Sequence, residues 1–289
     1  MLLRPRQQEF LDRTLDALSQ NDNTLGIAPT GAGKTILFSH LLGNLIRNDP
    51  DKKSLVISHR DELTAQNYDK FRLINPDIST SIVNSDTKEW SGQVVFAMVQ
   101  TLSREANLKQ IPSLHFLIID EAHHTTAETY QAIINRVRDQ SDYCKLIGLT
   151  ATPNRSDGEG LRKNYSNVSD QIFISELISS GHLVPPRTFV IDVAQERLNS
   201  VQKVAGDFDM LQVEKILNNR PINQTVVEKW KKLCEGRQTV VFCSTVEHAK
   251  HVQQAFIDAD VKAEIVTGNL SKTERSGALR RYHSRESNV

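Results

Sequence analysis

Near the N-terminus, Ala28-Pro29-Thr30-Gly31-Ala32-Gly33-Lys34-Thr35 have the types and order needed to hold a phosphate chain. Gly31 and Gly33 let the backbone curl so that its N–H groups converge on phosphate oxygens. Lys34 supplies a cation for the β- and γ-phosphates, and the Thr35 hydroxyl can ligate Mg²⁺. A second set lies downstream. Phe116-Leu117-Ile118-Ile119 is an apolar run delivering Asp120-Glu121-Ala122-His123 at its end. Asp120 can hold Mg²⁺ through water, and Glu121 can orient and deprotonate an attacking water. A third set, Thr150-Ala151-Thr152-Pro153, follows Leu146-Ile147-Gly148-Leu149 and offers two hydroxyls beside the carboxylates.

Each set needs an element to carry it. Thr24 to Ile27 reads as a buried strand, and Thr35 to Arg47 carries apolar residues at helical spacing. Strand, glycine loop and helix are the context a phosphate loop requires. Ala28 stands where the general pattern has glycine, and only a left-handed backbone there would exclude it. Ahead of the loop, Leu3 to Ser19 reads as a helix with Phe10, Leu11, Leu15 and Leu18 on one face. On it, Gln7 can both donate and accept, so it could read an adenine edge or be a solvated surface residue.

Further strands are expected at Lys53–Ser58, Ile78–Val83, Val94–Val99 and Thr188–Val193. A helix starts at His59-Arg60-Asp61-Glu62, and a short one spans Phe173 to Ser180. Gln100-Thr101 sit at a strand end, where parallel sheets bind ligands. Asn154 to Asn167 reads as a loop with a turn at Asp157-Gly158. The alternation predicts a mostly parallel α/β sheet covered on both faces. Ala194 to Asn219 reads as a polar linker, with the domain boundary near Asn219–Pro221. Beyond it a second βαβ run is expected, with strands Thr239–Cys243 and Ala263–Val266 and helices 222–234, 247–259 and 271–282.

The chain has 289 residues, enough for one large or two medium domains. Its net charge is +0, so any basic nucleic-acid groove must be local. No apolar run is long enough to cross a membrane, and no targeting segment is read. Cys144, Cys234 and Cys243 have no C-x-x-C spacing, which points to a reducing, intracellular (cytoplasmic) setting rather than a zinc site.

Taken in order, Ala28–Thr35, His59–Gln66, Val99–Leu102, Asp120–His123, Thr150–Thr152 and Val241–Thr245 resemble the motifs of superfamily 2 helicases. The likeness is to the DEAD/DEAH-box group that includes the bacterial RadD type, XPB and type III restriction motor subunits. It covers nearly the whole chain, and Ala28 matches the A-x-x-G-x-G-K-T form common in that group. The resemblance implies a RecA-like P-loop NTPase lobe over residues 1–193, a linker over 194–220 and a partial second RecA-like lobe over 221–289. It implies ATP and Mg²⁺ as cofactors and a nucleic-acid partner, DNA in preference to RNA. Arg4 and Gln7 would contact adenine, with Pro29 to Thr35 around the phosphates. His123, Thr150 and Thr152 would couple the ATP site to strand binding. Arg60, Gln100, Thr101, Ser244, Thr245, Thr267 and Gly268 would contact the nucleic-acid backbone. The family's Q-x-x-G-R-x-x-R motif is not found, and Arg275, Arg280 and Arg281 do not match it. That implies a chain cut short in the second lobe, completed by another chain or acting only as a nucleotide- and nucleic-acid-binding module. A small-molecule P-loop kinase is disfavoured, because Asp120–His123 and Thr150–Pro153 have no place in one.

Overall fold

The computed structural model describes residues 2–153, 161–204, 207–234 and 236–289. They form two compact units, Met1–Pro186 and Arg187–Val289. The expected turn at Asp157-Gly158 lies outside the described residues.

The first unit is built on a seven-stranded sheet in the order β3-β4-β2-β5-β6-β1-β7. Its strands are β1 (Asn23–Ile27), β2 (Ser54–Ser58), β3 (Thr80–Val83), β4 (Val94–Met98), β5 (Phe116–Asp120), β6 (Lys145–Thr150) and β7 (Val168–Gln171). Every pair is parallel. Parallel strands need crossovers, several of which pass through helices. α1 (Pro5–Gln20) precedes β1; α2 (Lys34–Arg47), α3 (Asp61–Ile74), the single turns α4 (Val99–Leu102) and α5 (Glu105–Leu108), and α6 (Glu128–Gln140) lie in the crossovers after β1, β2, β4 and β5; α7 (Ile174–Ser179) follows β7.

Side chains alternate across the sheet, so each strand feeds two cores. Phe116 and Ile118 of β5 join Phe10, Phe38, Leu42 and Phe71 from α1, α2 and α3. Leu117 and Ile119 join Tyr130, Ile133 and Val137 from α6 on the other face. Burial on both faces explains why β2 and β5 are continuous apolar runs. Gly148 of β6 has a reason of its own: a Cβ there would lie 2.4 Å from Cζ of Tyr165.

Three expectations are corrected in the later chain. No strand forms at Thr188–Val193, where Val190 is 90% exposed. The polar 194–219 stretch is not irregular. It holds α8 (Gln195–Asn199), a hairpin of β8 (Lys203–Val204) and β9 (Asp207–Phe208), and α9 (Met210–Leu217). Thr239–Cys243 and Ala263–Val266 are not strands among the described residues. A strand exists only through its neighbour's hydrogen bonds. Here the backbone bonds run to the chain's last two residues and do not extend into a ladder: Thr239 N–H donates to Asn288 O at 2.8 Å, Glu264 N–H to Val289 O at 2.8 Å, and Asn288 N–H to Lys262 O at 3.1 Å. The helices of this unit do form, as α10 (Arg220–Cys234), α11 (Val246–Ile257) and α12 (Lys272–His283). Val227, Trp230, Val252 and Phe256 make a small core between α10 and α11. Among the described residues no helix is long and apolar enough to cross a membrane.

Candidate nucleotide site

The phosphate loop, Asp120 and Thr150 all leave the same edge of the sheet. They follow β1, β5 and β6, which are neighbours with β6 in the middle. Carboxyl ends of parallel strands are where α/β sheets bind ligands. Ala28 N–H donates to Thr150 O at 2.9 Å, tying the loop's start to β6. Gly31 (φ 90°) and Gly33 (φ 85°) take the left-handed backbone, whereas Ala28 does not. That settles why alanine is tolerated at the loop's first position. Gly33 also has no room for a side chain, since a Cβ would meet Gln7 Nε2 at 2.8 Å.

Gln7 is buried. Its Oε1 accepts from Arg4 N–H at 3.0 Å, and its Nε2 donates to Ala32 O at 2.8 Å. The residue thus steadies the loop from below. Beside it lies a cavity of about 370 Å³ bordered by Arg4, Gln7, Ala32, Ile172, Leu177 and His182.

Lys34, the first residue of α2, points back across the loop. Its Nζ is 3.6 Å from Glu121 Oε1 and donates to Ala28 O at 3.5 Å. Thr35 Oγ1 donates to Asn67 Oδ1 at 2.9 Å, and Asn67 Nδ2 donates to Asp120 Oδ2 at 2.8 Å. Asp120 is 6% exposed. Burial raises its pKa from the ordinary carboxylate value, against the opposing hydrogen bond from Asn67. Its other oxygen accepts from Glu121 N–H at 3.1 Å. The Glu121 backbone is left-handed, at φ 56° and ψ 56°.

Behind the carboxylates, His123 Nδ1 lies 3.5 Å from Glu121 Oε2 and 3.0 Å from Thr150 Oγ1. Thr152 Oγ1 is 3.5 Å from the same nitrogen. Thr152 N–H donates to Thr150 Oγ1 at 3.1 Å. A continuous polar path therefore runs from Lys34 through Glu121 and His123 to the Thr150–Thr152 turn. His59, whose ring centroid lies 4.9 Å from that of His124 with the rings tilted at 52°, has its pKa lowered by burial first and by Arg60 second.

The remaining residues singled out from sequence are dispersed. Arg60 and Gln100 are exposed on the same sheet edge, while Thr101 is buried. In the second unit Ser244 Oγ pairs with His248 Nδ1 at 3.0 Å, and Thr245 Oγ1 accepts from His248 N–H at 3.1 Å. Thr267 is half-buried and Gly268 exposed. Two features went unread in the sequence. Asn67 is one, and its signal is an asparagine at a core position of a helix, where that residue is disfavoured. The other is Tyr165, whose hydroxyl lies 3.2 Å from Thr125 Oγ1 just past the Asp120–His123 set.

The family model described as "Type III restriction enzyme, res subunit" matches residues 1–155, the part of the chain that carries the phosphate loop, Asn67, Asp120–His123 and Thr150–Thr152. The chain belongs to that family. The chain is 27% identical over 301 residues to IRC3 of Saccharomyces cerevisiae, named as an ATP-dependent helicase, covering 100% of the chain and 44% of that protein. It is 28% identical over 294 residues to irc3 of Schizosaccharomyces pombe, named as a mitochondrial ATP-dependent helicase, covering 98% of the chain and 48% of the relative. The chain thus spans about half the length of the curated relatives it matches. Among solved structures, the Type ISP restriction-modification enzyme LlaBIII bound to DNA aligns over 99% of the chain and 23% of its own, at 17% identity and TM-score 0.68. Dbp5 of S. cerevisiae bound to RNA and ADP BeF3 aligns over 97% of the chain and 68% of its own, at 15% identity and TM-score 0.59. The chain therefore shares the α/β fold of these solved structures, and the relatives it matches along its length are named as ATP-dependent helicases.

Proposed function

We propose that the chain is the ATP-driven part of a nucleic-acid helicase or translocase acting on DNA in preference to RNA. The observation that carries this is the joining of two sequence-distant sets, Lys34 against Glu121 at 3.6 Å and Thr35 to Asp120 through Asn67. A phosphate-binding lysine beside a carboxylate that can activate water is the arrangement that phosphoanhydride hydrolysis needs. Pro29 to Thr35 cradle the phosphates, and Arg4 and Gln7 border the base cavity. Glu121 orients the water, and His123 with Thr150 and Thr152 relays the state of the site to the strand-binding edge at Arg60 and Gln100. Buried Thr101 backs the edge that carries Gln100, and Ser244, Thr245, Thr267 and Gly268 of the second unit supply further backbone contacts, which are blind to sequence.

The donor set fits Mg²⁺. The Thr35 hydroxyl gives its hydrogen to Asn67 and so keeps its lone pairs, and Asp120 presents two oxygens, each accepting one N–H. Hard oxygen donors of this kind suit that ion. Thr35 and Asp120 would hold it, where it would neutralise charge developing on the β- and γ-phosphate oxygens.

The test measures binding to single-stranded and duplex DNA, and to RNA of the same sequence, with and without Mg²⁺ and a non-hydrolysable ATP analogue. We expect a nucleotide-linked change in DNA affinity and DNA-stimulated phosphate release that Glu121→Gln abolishes. Binding indifferent to nucleotide overturns the motor reading. Binding linked to nucleotide without phosphate release reduces the chain to a binding module.

A further inference from the structure

Asn67 stands on α3, a helix that contributes none of the residues so far given a role in nucleotide chemistry, yet it is 1% exposed and faces the site. Its amide is fully used. Oδ1 accepts from the Thr35 hydroxyl at 2.9 Å, and Nδ2 donates to Asp120 Oδ2 at 2.8 Å and to Ser58 Oγ at 3.1 Å. One side chain thus joins the start of α2, the end of β5 and the end of β2.

We propose that Asn67 is a positioning residue that presets the two metal-holding side chains, Thr35 and Asp120. This rests on the reading that those two ligate Mg²⁺. The chemistry is specific to an amide. The bridge needs an acceptor at one end and a two-hydrogen donor at the other. A carboxylate could accept from Thr35 but would set a second negative charge against Asp120. Leucine would remove the partner of the Thr35 hydroxyl and of Asp120 Oδ2. The acceptor end takes the hydroxyl hydrogen of Thr35, so the lone pairs are what that oxygen has left to offer. The donor end fixes the rotation of the Asp120 carboxylate, whose other oxygen is held by Glu121 N–H. Partners that hydrogen-bond metal ligands orient them, and removing such a partner commonly weakens metal affinity about 10–100-fold.

A merely structural role, pinning α3 to the sheet, is the competing account. The two differ in what they do to metal binding against nucleotide binding. The experiment uses the whole chain with ADP, and Mn²⁺ as the probe ion read by electron paramagnetic resonance. In parallel, ADP affinity is measured in excess chelator. For Asn67→Ala we expect Mn²⁺ affinity to fall about tenfold or more, with ADP affinity in chelator unchanged within about twofold. Ser58→Ala, which removes only the bond that touches neither ligand, is expected to leave both affinities unchanged. If Asn67→Ala does not fold, Asn67→Ser, polar but too short to span the two groups, asks the same question and is expected to show the same loss. Mn²⁺ affinity at the wild-type level in these variants overturns the proposal. So does an equal loss of ADP binding in chelator, or a Ser58→Ala loss as large as that of Asn67→Ala. If the unaltered chain with ADP takes up no Mn²⁺, the metal-site reading beneath the proposal fails instead.

Discussion

The two compact units handle the same sequence ingredients differently. In the first, apolar runs such as Leu55-Val56-Ile57 and Leu117-Ile118-Ile119 find parallel neighbours on both sides and are almost wholly buried. In the second, Thr239-Val240-Val241-Phe242-Cys243 has the same composition, yet Val240 is 63% and Phe242 93% exposed. The starts of their helices differ too. α2 begins after Gly33 with no side-chain cap, leaving first-turn N–H groups available to an anion. α11 and α12 are capped by Thr245 and Ser271, whose side chains accept from His248 N–H and Glu274 N–H. The first turn of α2 is left open, whereas those of α11 and α12 are capped by their own side chains. What decides strand or site is therefore not the local run of residues but whether neighbours supply ladders and whether a cap occupies the helix end.

The largest expected effects test the two cores. Phe38→Ala, in a fully buried side chain against the sheet, should cost about 3–5 kcal/mol of stability by chemical denaturation. Phe256→Ala, stacked edge-on against Trp230 at 5.4 Å, should cost the second unit about as much, and a smaller loss would show that its core is not closed. Next comes the open helix end. Lys34→Ala should weaken ATP binding by about 1.5–3 kcal/mol, roughly ten- to hundredfold by calorimetry, without lowering the melting temperature.

Asp170 offers an electrostatic test of the first unit. Burial alone would raise its pKa, but hydrogen bonds from Arg6 and Arg13 outweigh this and hold it below the ordinary carboxylate value. A depressed folded-state pKa adds stability above the unfolded value, about 3.9, and that stability is lost as pH falls through the folded value. Asp170→Asn should cost about 1–3 kcal/mol at neutral pH and flatten the fall in melting temperature below about pH 4. The smallest expected effect bears most directly on the contrast between units. Phe242→Ala should change stability by less than about 0.5 kcal/mol, as exposed substitutions do. A loss of several kcal/mol would mean that Thr239–Cys243 is a buried strand after all.

Much of the candidate site was legible because its residues are unusual for their positions. Glycines between a strand and a helix demand a backbone that other residues resist, and adjacent carboxylates at the end of an apolar run have few other uses. The seven strands were legible where both faces are buried, since β2 and β5 read as unbroken apolar runs. β7 was not, because Val168-Ser169-Asp170-Gln171 is a polar edge strand held by Arg6 and Arg13 as well as by its ladder with β1. The hairpin within residues 203–208 was missed for a similar reason, its polar residues reading as linker. In Thr239–Cys243 the local pattern was read correctly as apolar, but strand formation depends on partners that composition does not reveal. Asn67 was passed over because its three bonds join residues 32, 53 and 9 positions away, a relation that no helical period encodes.

The left-handed turn at Glu121 has an evolutionary consequence. That backbone costs a side-chain-bearing residue about 1–2 kcal/mol, whereas glycine adopts it freely. On the proposal that Glu121 activates water, selection for a firmer fold and selection for turnover pull in opposite directions at this position. A library screened only for thermal resistance should therefore drift toward glycine at Glu121 and discard the carboxylate, and a lineage that keeps glutamate there records continued demand on the chemistry.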